Sequence, residues 1–197
     1  MIIFLLFLLL LVHIYLHFMI HPENYLTNLA QVTQAEITNT TYFKLPFIIN
    51  GAELQPIVLK DYSKVDKHTY VKTYEPMPLL EPLVKFFTKN TIYKLKKHQL
   101  LPIHCNLECR NYYIVHSGSI HITAIHPKYT DLSINIEEHS KMIHVELKNG
   151  QILYVPNYWN VYIKTHEKSI VEKAQYSTIM NQFNFLWNNI NTFYKLI

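Results

Sequence analysis

The sequence predicts a mainly β fold, a small barrel or sandwich with flanking helices, preceded by one N-terminal transmembrane helix. Three observations carry that prediction. Residues 2–20, IIFLLFLLLLVHIYLHFMI, are apolar apart from His13 and His17. From Leu101 onward, short runs rich in β-branched and aromatic residues alternate with turn signals, the pattern of an all-β domain. Within that part, residues 101–127 (LPIHCNLECRNYYIVHSGSIHITAIHP) and 150–163 (GQILYVPNYWNVYI) read as partner strands closing a barrel, with His104 at its entrance.

The leader comes first. As a helix, residues 2–20 extend roughly 28 Å, against about 30 Å of bilayer hydrocarbon. A cleaved signal peptide wants a basic start, a shorter apolar core and a small-residue cleavage site. None is present, so residues 1–21 are expected to be an uncleaved signal-anchor, with Pro22 ending the helix. His13 and His17 lie one turn apart and share a face. The protein is therefore expected at a membrane, single-pass, through residues 2–20. Its orientation is undetermined, because flanking Lys and Arg set topology and none occurs before Lys44. Asn39-Thr40-Thr41 is a glycosylation sequon.

Residues 22–41 are polar without a sustained period and read as a tether; residues 42–197 read as the folded domain. FKLPFIINGAELQPIVL suggests two short strands about an Asn50-Gly51 turn, the first at a sheet edge because of Pro46. Residues 60–78 read as loop with short strand pieces. In residues 79–95, Leu79, Leu83, Phe86, Phe87 and Tyr93 have near-helical spacing, with Pro82 in a first turn, so a helix packed on the barrel is expected. Strands are expected at 112–116, 119–125, 132–136, 142–147, 151–155, 159–164 and 169–180. Turns at Ser117-Gly118, Pro127, Asn149-Gly150 and Pro156-Asn157 separate several of them. A short terminal helix is expected at 184–196.

Composition excludes some classes. With 3 Gly in 197 residues and no GxGxxG or GxxxxGK[ST] run, a Gly-rich phosphate loop has no support. No Gly-x-Ser-x-Gly elbow is present, which removes the serine hydrolase reading. The net charge of +4 is mild, and its tightest group, Lys94, Lys96 and Lys97 beside His98, reads as a solvated face. No nucleic-acid partner is expected. Cys105 and Cys109 would lie about 13 Å apart in an extended segment, too far for a disulfide, which needs about 7 Å or less. Cys-x3-Cys without a second Cys/His pair is also a weak zinc signal.

A metal-dependent barrel needs ligands converging from separate strands, two of them at i and i+2 on one strand. His104-x-Asn106 has that spacing, followed by Asn111 and Gly118. Downstream come Gly150, Pro156 and Trp159. These two motifs resemble those of the cupin superfamily, in its cupin-like branch related to jumonji-C hydroxylases. Tyr42-Phe43-Lys44-Leu45-Pro46-Phe47-Ile48-Ile49 resembles the opening strand of that family. The resemblance spans residues 42–180 and implies a double-stranded β-helix. It also implies Fe(II) held by His-x-Asp/Glu plus a distal His, with 2-oxoglutarate as co-substrate.

Tested against that pattern, His104 keeps the first ligand position. Asn106 stands at the acidic one and Val161 at the distal His, while the co-substrate Lys position falls near Ile120. One imidazole and a neutral amide cannot replace two imidazoles and a carboxylate. The expectation is a catalytically inactive domain, a pseudoenzyme without cofactor, having a binding or structural role. Its ligand-pocket candidates are His104, Asn106, Asn111, Tyr158 and Trp159. For Tyr158 and Trp159 packing is the favoured reading, filling the barrel mouth or pairing across strands, with a stacking platform as the alternative. The partner would be a protein or a small-molecule ligand, a sugar or nucleotide among the options. The alternative is an Fe(II)/2-oxoglutarate-dependent oxygenase, of hydroxylase or demethylase type, with a rearranged metal site of His104 and Glu108. Cys105, Cys109, His116 and His121 are further candidate substitutes in such a site.

Overall fold

A computed structural model describes residues 2–18, 27–29, 36–37, 41, 44–50, 87–129, 142–178 and 181. Period-two alternation organises them. In RNYYIVHS, Tyr113 and Val115 join one apolar cluster while Tyr112 and Ile114 join another on the opposite face. A strand that is apolar on both faces must sit in a sheet covered on both sides.

Among the described residues ten strands result: β1 Thr27–Leu29, β2 Phe47–Ile49, β3 Phe87–Leu95, β4 Leu100–Cys105, β5 Arg110–Ser117, β6 Ser119–Ile125, β7 Met142–Lys148, β8 Ile152–Pro156, β9 Asn160–Thr165 and β10 Ser169–Ser177. They form a six-stranded sheet, β1-β2-β8-β5-β10-β3, and a four-stranded sheet, β4-β9-β6-β7. The pairs β6–β7, β5–β8, β4–β9 and β3–β10 are all antiparallel. The chain therefore doubles back on itself as one long ribbon, and the ribbon's successive pairs fall alternately in the two sheets. This is the jelly-roll topology of a double-stranded β-helix, a cupin-like fold. The main core lies between the sheets, where Ile120, Ile122, Leu147, Leu153, Trp159 and Ile163 are almost wholly buried. Each such aliphatic side chain contributes about 1.5–3 kcal/mol by leaving water.

Two turns are tight. Gly118 has φ +77°, and a Cβ there would lie 2.4 Å from the Lys168 carbonyl oxygen. Gly150, at φ 81°, turns β7 into β8.

The expected strands from 112 onward appear, with shifted ends, wherever their residues are described. Residues 132–136, the second strand of the 43–59 hairpin and the terminal helix at 184–196 lie outside the described residues. Three expectations are corrected. The helix expected at 79–95 is, over its described part, strand β3, paired with β10 along its whole length. Phe86, Phe87 and Tyr93 fit a helical stripe, but Thr88, Thr91 and Ile92 favour a strand. The open edge of β10 satisfies the backbone of β3. The strand at Phe47–Ile49 is not at an edge, since β1 lies beside it. Pro46 precedes the strand, where its missing N–H costs no ladder bond. Part of the expected tether joins the domain, because β1 pairs with β2 and Ile37 is fully buried.

Helix α1, Ile2–Phe18, is apolar along its length and exposed over residues 3–12, from Ile3 at 84% to Val12 at 47%. Its 17 residues extend about 26 Å. Among the described residues no helix is long and apolar enough to cross a membrane.

Candidate functional site

Alternation on the inner face of the large sheet sets the site. Lys89, Thr91 and Tyr93 stand on β3. Beside them on β10, Gln175 is registered with Lys89, Lys173 with Thr91 and Val171 with Tyr93. The next strand, β5, continues the rungs with Asn111 against Gln175, Tyr113 against Lys173 and Val115 against Val171. The face is thus polar at one end and apolar at the other. Across the barrel runs β4, the edge of the small sheet. Its pairing with β9 is interrupted between Leu101 and His104, where Pro102 cannot donate a ladder bond. That irregularity turns His104 toward the seam. A cavity of about 310 Å³ opens there, lined by Lys89, Thr91 and Tyr93 of β3, Leu101, Pro102 and His104 of β4, and Lys173 and Gln175 of β10.

Burial and the positive charge of Lys173 hold the His104 imidazole at a pKa of about 4, although its contact with the Pro102 carbonyl acts the other way. The ring is therefore neutral at pH 7. Its Nδ1 lies 3.3 Å from the Pro102 carbonyl oxygen and its Nε2 3.0 Å from the Tyr113 hydroxyl. That hydroxyl is also 2.9 Å from Asn106 Oδ1. A phenol has one proton. When it goes to Asn106, His104 donates from Nε2; when it goes to Nε2, the Nδ1–H serves Pro102. In both arrangements Tyr113 occupies the Nε2 edge.

Lys173 is 4% exposed. Its ammonium sits 5.5 Å from the centroid of the Tyr113 ring, a cation–π contact. Burial lowers its pKa to about 8; the charge of Glu108 opposes this and that of Lys89 adds to it.

A ferrous ion needs imidazole and carboxylate donors converging beside His104. Directly across the ladder from His104 stands Val161, which cannot ligate. Asn106, fully buried, offers only a neutral amide. Strand β4 ends at Cys105, so the alternation that would put Glu108 on the His104 face does not reach it. Among the described residues no three His, Cys, Asp or Glu side chains gather as a metal-holding group. These residues do not fit a ferrous ion. Cys105 and Cys109 are both free thiols. His116 is engaged by Glu172 at 2.8 Å, and His121 packs edge-on against His166.

Of the five pocket residues expected from sequence, only His104 lines the cavity. Asn106 lies behind it. Asn111 is buried; its Nδ2 donates to the Glu108 carbonyl at 3.0 Å and its Oδ1 accepts from Gln175 at 3.4 Å, so it braces a lining residue. Tyr158 sits in the β8–β9 turn at φ 69°, with Lys44 Nζ 5.9 Å from its ring centroid. Trp159 belongs to the core, its ring edge-on to His126. Lys89, Thr91, Lys173 and Gln175 were missed. Their signal was the alternation in TKNT, which a helical reading of 79–95 conceals, and in VEKAQ, within the strand expected at 169–180.

No family model and no curated protein matches the sequence. Solved structures do show likeness. The Drosophila melanogaster CENP-C cupin domain is 15% identical, with a TM-score of 0.34, covering 45% of this chain and 59% of that one. The Lactobacillus farciminis oxalate decarboxylase formate complex is 12% identical, with a TM-score of 0.37, covering 47% and 25%. YcfD, a ribosomal oxygenase from Escherichia coli in complex with cobalt and succinic acid, is 14% identical, with a TM-score of 0.37, covering 46% and 23%. The chain spans less than two thirds of the length of these structures. It is the strand order described above, and not these likenesses, that carries the cupin-like fold.

Proposed function

We propose that this chain is a membrane-attached, cupin-like binding domain, inactive in iron chemistry, whose barrel mouth takes a small ligand. The observation that carries the reading is at His104. Its ladder partner is Val161, and its Nε2 edge meets the Tyr113 hydroxyl. A jumonji-C-related barrel that had lost its iron would look like this: the first imidazole kept, the acid replaced by Asn106 and the distal imidazole by valine. Beside it, the mouth has the polar lining of a ligand site, with Lys173, Gln175 and Thr91 around an opening large enough for a small molecule. Attachment to lipid through α1 is supported by its exposed apolar surface on all sides.

The test uses the full chain in detergent, incubated anaerobically with Fe(II), desalted and assayed for metal. Iron well below stoichiometric is expected, with no 2-oxoglutarate consumption. Stoichiometric iron together with 2-oxoglutarate turnover lost in His104→Ala would overturn the reading in favour of the rearranged oxygenase.

A further inference from the structure

We propose that Lys173 forms an imine with a small carbonyl compound bearing an anionic group, captured in the barrel mouth. The proposal rests on the reading of this cavity as a ligand site and names the ligand's chemistry.

The argument begins with burial. The ammonium of a lysine that is only 4% exposed must be neutralised or paired, or meet a ligand. Lys173 lies over the Tyr113 ring and lines the cavity. Its ladder neighbours on either side are the neutral side chains of Thr91 and Tyr113. The nearby acid, Glu108, weakens the effect of burial without reversing it, and Lys173 titrates near 8. At about pH 7.5 roughly a quarter of the amine is then unprotonated, against about one part in a thousand for an exposed lysine. A desolvated lysine in a pocket is the form in which this side chain acts as a nucleophile.

The chemistry balances without any oxidant or reductant. The nitrogen lone pair adds to the carbonyl carbon, giving a carbinolamine. Loss of its hydroxyl with the proton shed by nitrogen releases one water and leaves the C=N bond. The anionic group is inferred from Lys89, whose cation lines the same cavity one rung along the ladder, beside Gln175. Thr91 and Gln175 supply neutral donors between the two cations.

The test probe is glyoxylate, the smallest carbonyl acid, with cyanoborohydride to reduce any imine, on the full chain in detergent near neutral pH. Peptide mass mapping then locates carboxymethyl-lysine. Early modification at Lys173 is expected, with a rate about a hundredfold above that of exposed Lys94 and Lys97. Unfolding in urea should abolish the preference. Lys173→Arg keeps a cation but cannot form the imine; it should lose the adduct while retaining the wild-type melting temperature within a few degrees.

Labelling that begins at surface lysines overturns the proposal, as does an undiminished adduct in Lys173→Arg. If glyoxylate raises the melting temperature but leaves Lys173 unmodified, the imine fails and the cavity still stands as an anion-binding site. If glyoxylate neither modifies Lys173 nor shifts the melting temperature, the imine also fails. A screen of other small ligands by thermal shift then decides the cavity reading separately.

Discussion

Replacing Lys173 by methionine should stabilise the protein below pH 8 and flatten its alkaline stability profile. A lysine whose pKa falls from 10.5 to about 8 on folding binds its proton less tightly in the native state. Between about pH 8 and 10.5 the unfolded chain therefore holds more protons than the folded one, and stability rises with pH. Below about pH 8 the full penalty applies. At 1.36 kcal/mol per pH unit it amounts to about 3 kcal/mol. Lys44, also lowered to about 8 by burial against the opposing charge of Cys109, adds a second contribution of the same sign and window. Methionine matches the lysine stem in length and removes the charge. Lys173→Met should gain about 1–3 kcal/mol at pH 7 and lose its own share of the alkaline rise; the Lys44 share remains, opposed above about pH 9 by the thiols of Cys105 and Cys109, whose pKa values are raised. Chemical denaturation of the full chain in detergent, followed by tyrosine and tryptophan fluorescence from pH 6 to 10.5, measures both. A variant less stable at pH 7, with an unchanged alkaline slope, would refute the idea that Lys173 is a strained buried cation.

Other outcomes follow from the same geometry. His104, at about 4 instead of 6.5, stays neutral in the fold, so its stabilisation is complete above pH 6.5 and lost as pH falls toward 4. His104→Gln should flatten that acid limb, read by the same denaturation series. Tyr113→Phe removes the hydroxyl between His104 and fully buried Asn106; leaving a buried polar group unpaired should cost about 1–3 kcal/mol. Gly118→Ala forces a Cβ to within 2.4 Å of a backbone oxygen at positive φ, and a loss of more than about 1 kcal/mol is expected by thermal melting. Deleting residues 2–20 should release the protein from liposomes in a flotation assay, while the β-rich circular dichroism persists.

Legibility divided along physical lines. The second half of the barrel was readable because strands such as β6 and β8 lie between bounded turns, Ser117-Gly118 before one and Asn149-Gly150 before the other. The turn residues set the boundaries and β-branched side chains filled the interior. The spacing from Pro156 also places Val161 across from His104, where the ladder pairs them. Strand β3 was not readable. Its identity depends on the edge of β10, more than seventy residues away, and its own apolar positions satisfy a helical stripe as well as a strand. Without that strand, the cavity wall formed by Lys89, Thr91 and Tyr93 could not be read. Trp159 carried a packing reading beside the ligand one, and its ring lies in the core.

The cavity residues share one cause. An inner barrel face that is apolar along its full length closes completely, as the Val171–Val115 rung does here. From Lys173 outward the same three strands carry Lys, Thr, Tyr, Gln and Asn on that face. Burying these groups opposes folding, and stability alone would favour apolar residues there, as the Lys173→Met expectation states. On the proposed reading, a polar mouth that opposes folding beside His104 is the arrangement expected of a ligand site. The stability gained in Lys173→Met and the ligand chemistry lost in Lys173→Arg are thus two readings of one arrangement, and a protein that gained the first without losing the second would separate them.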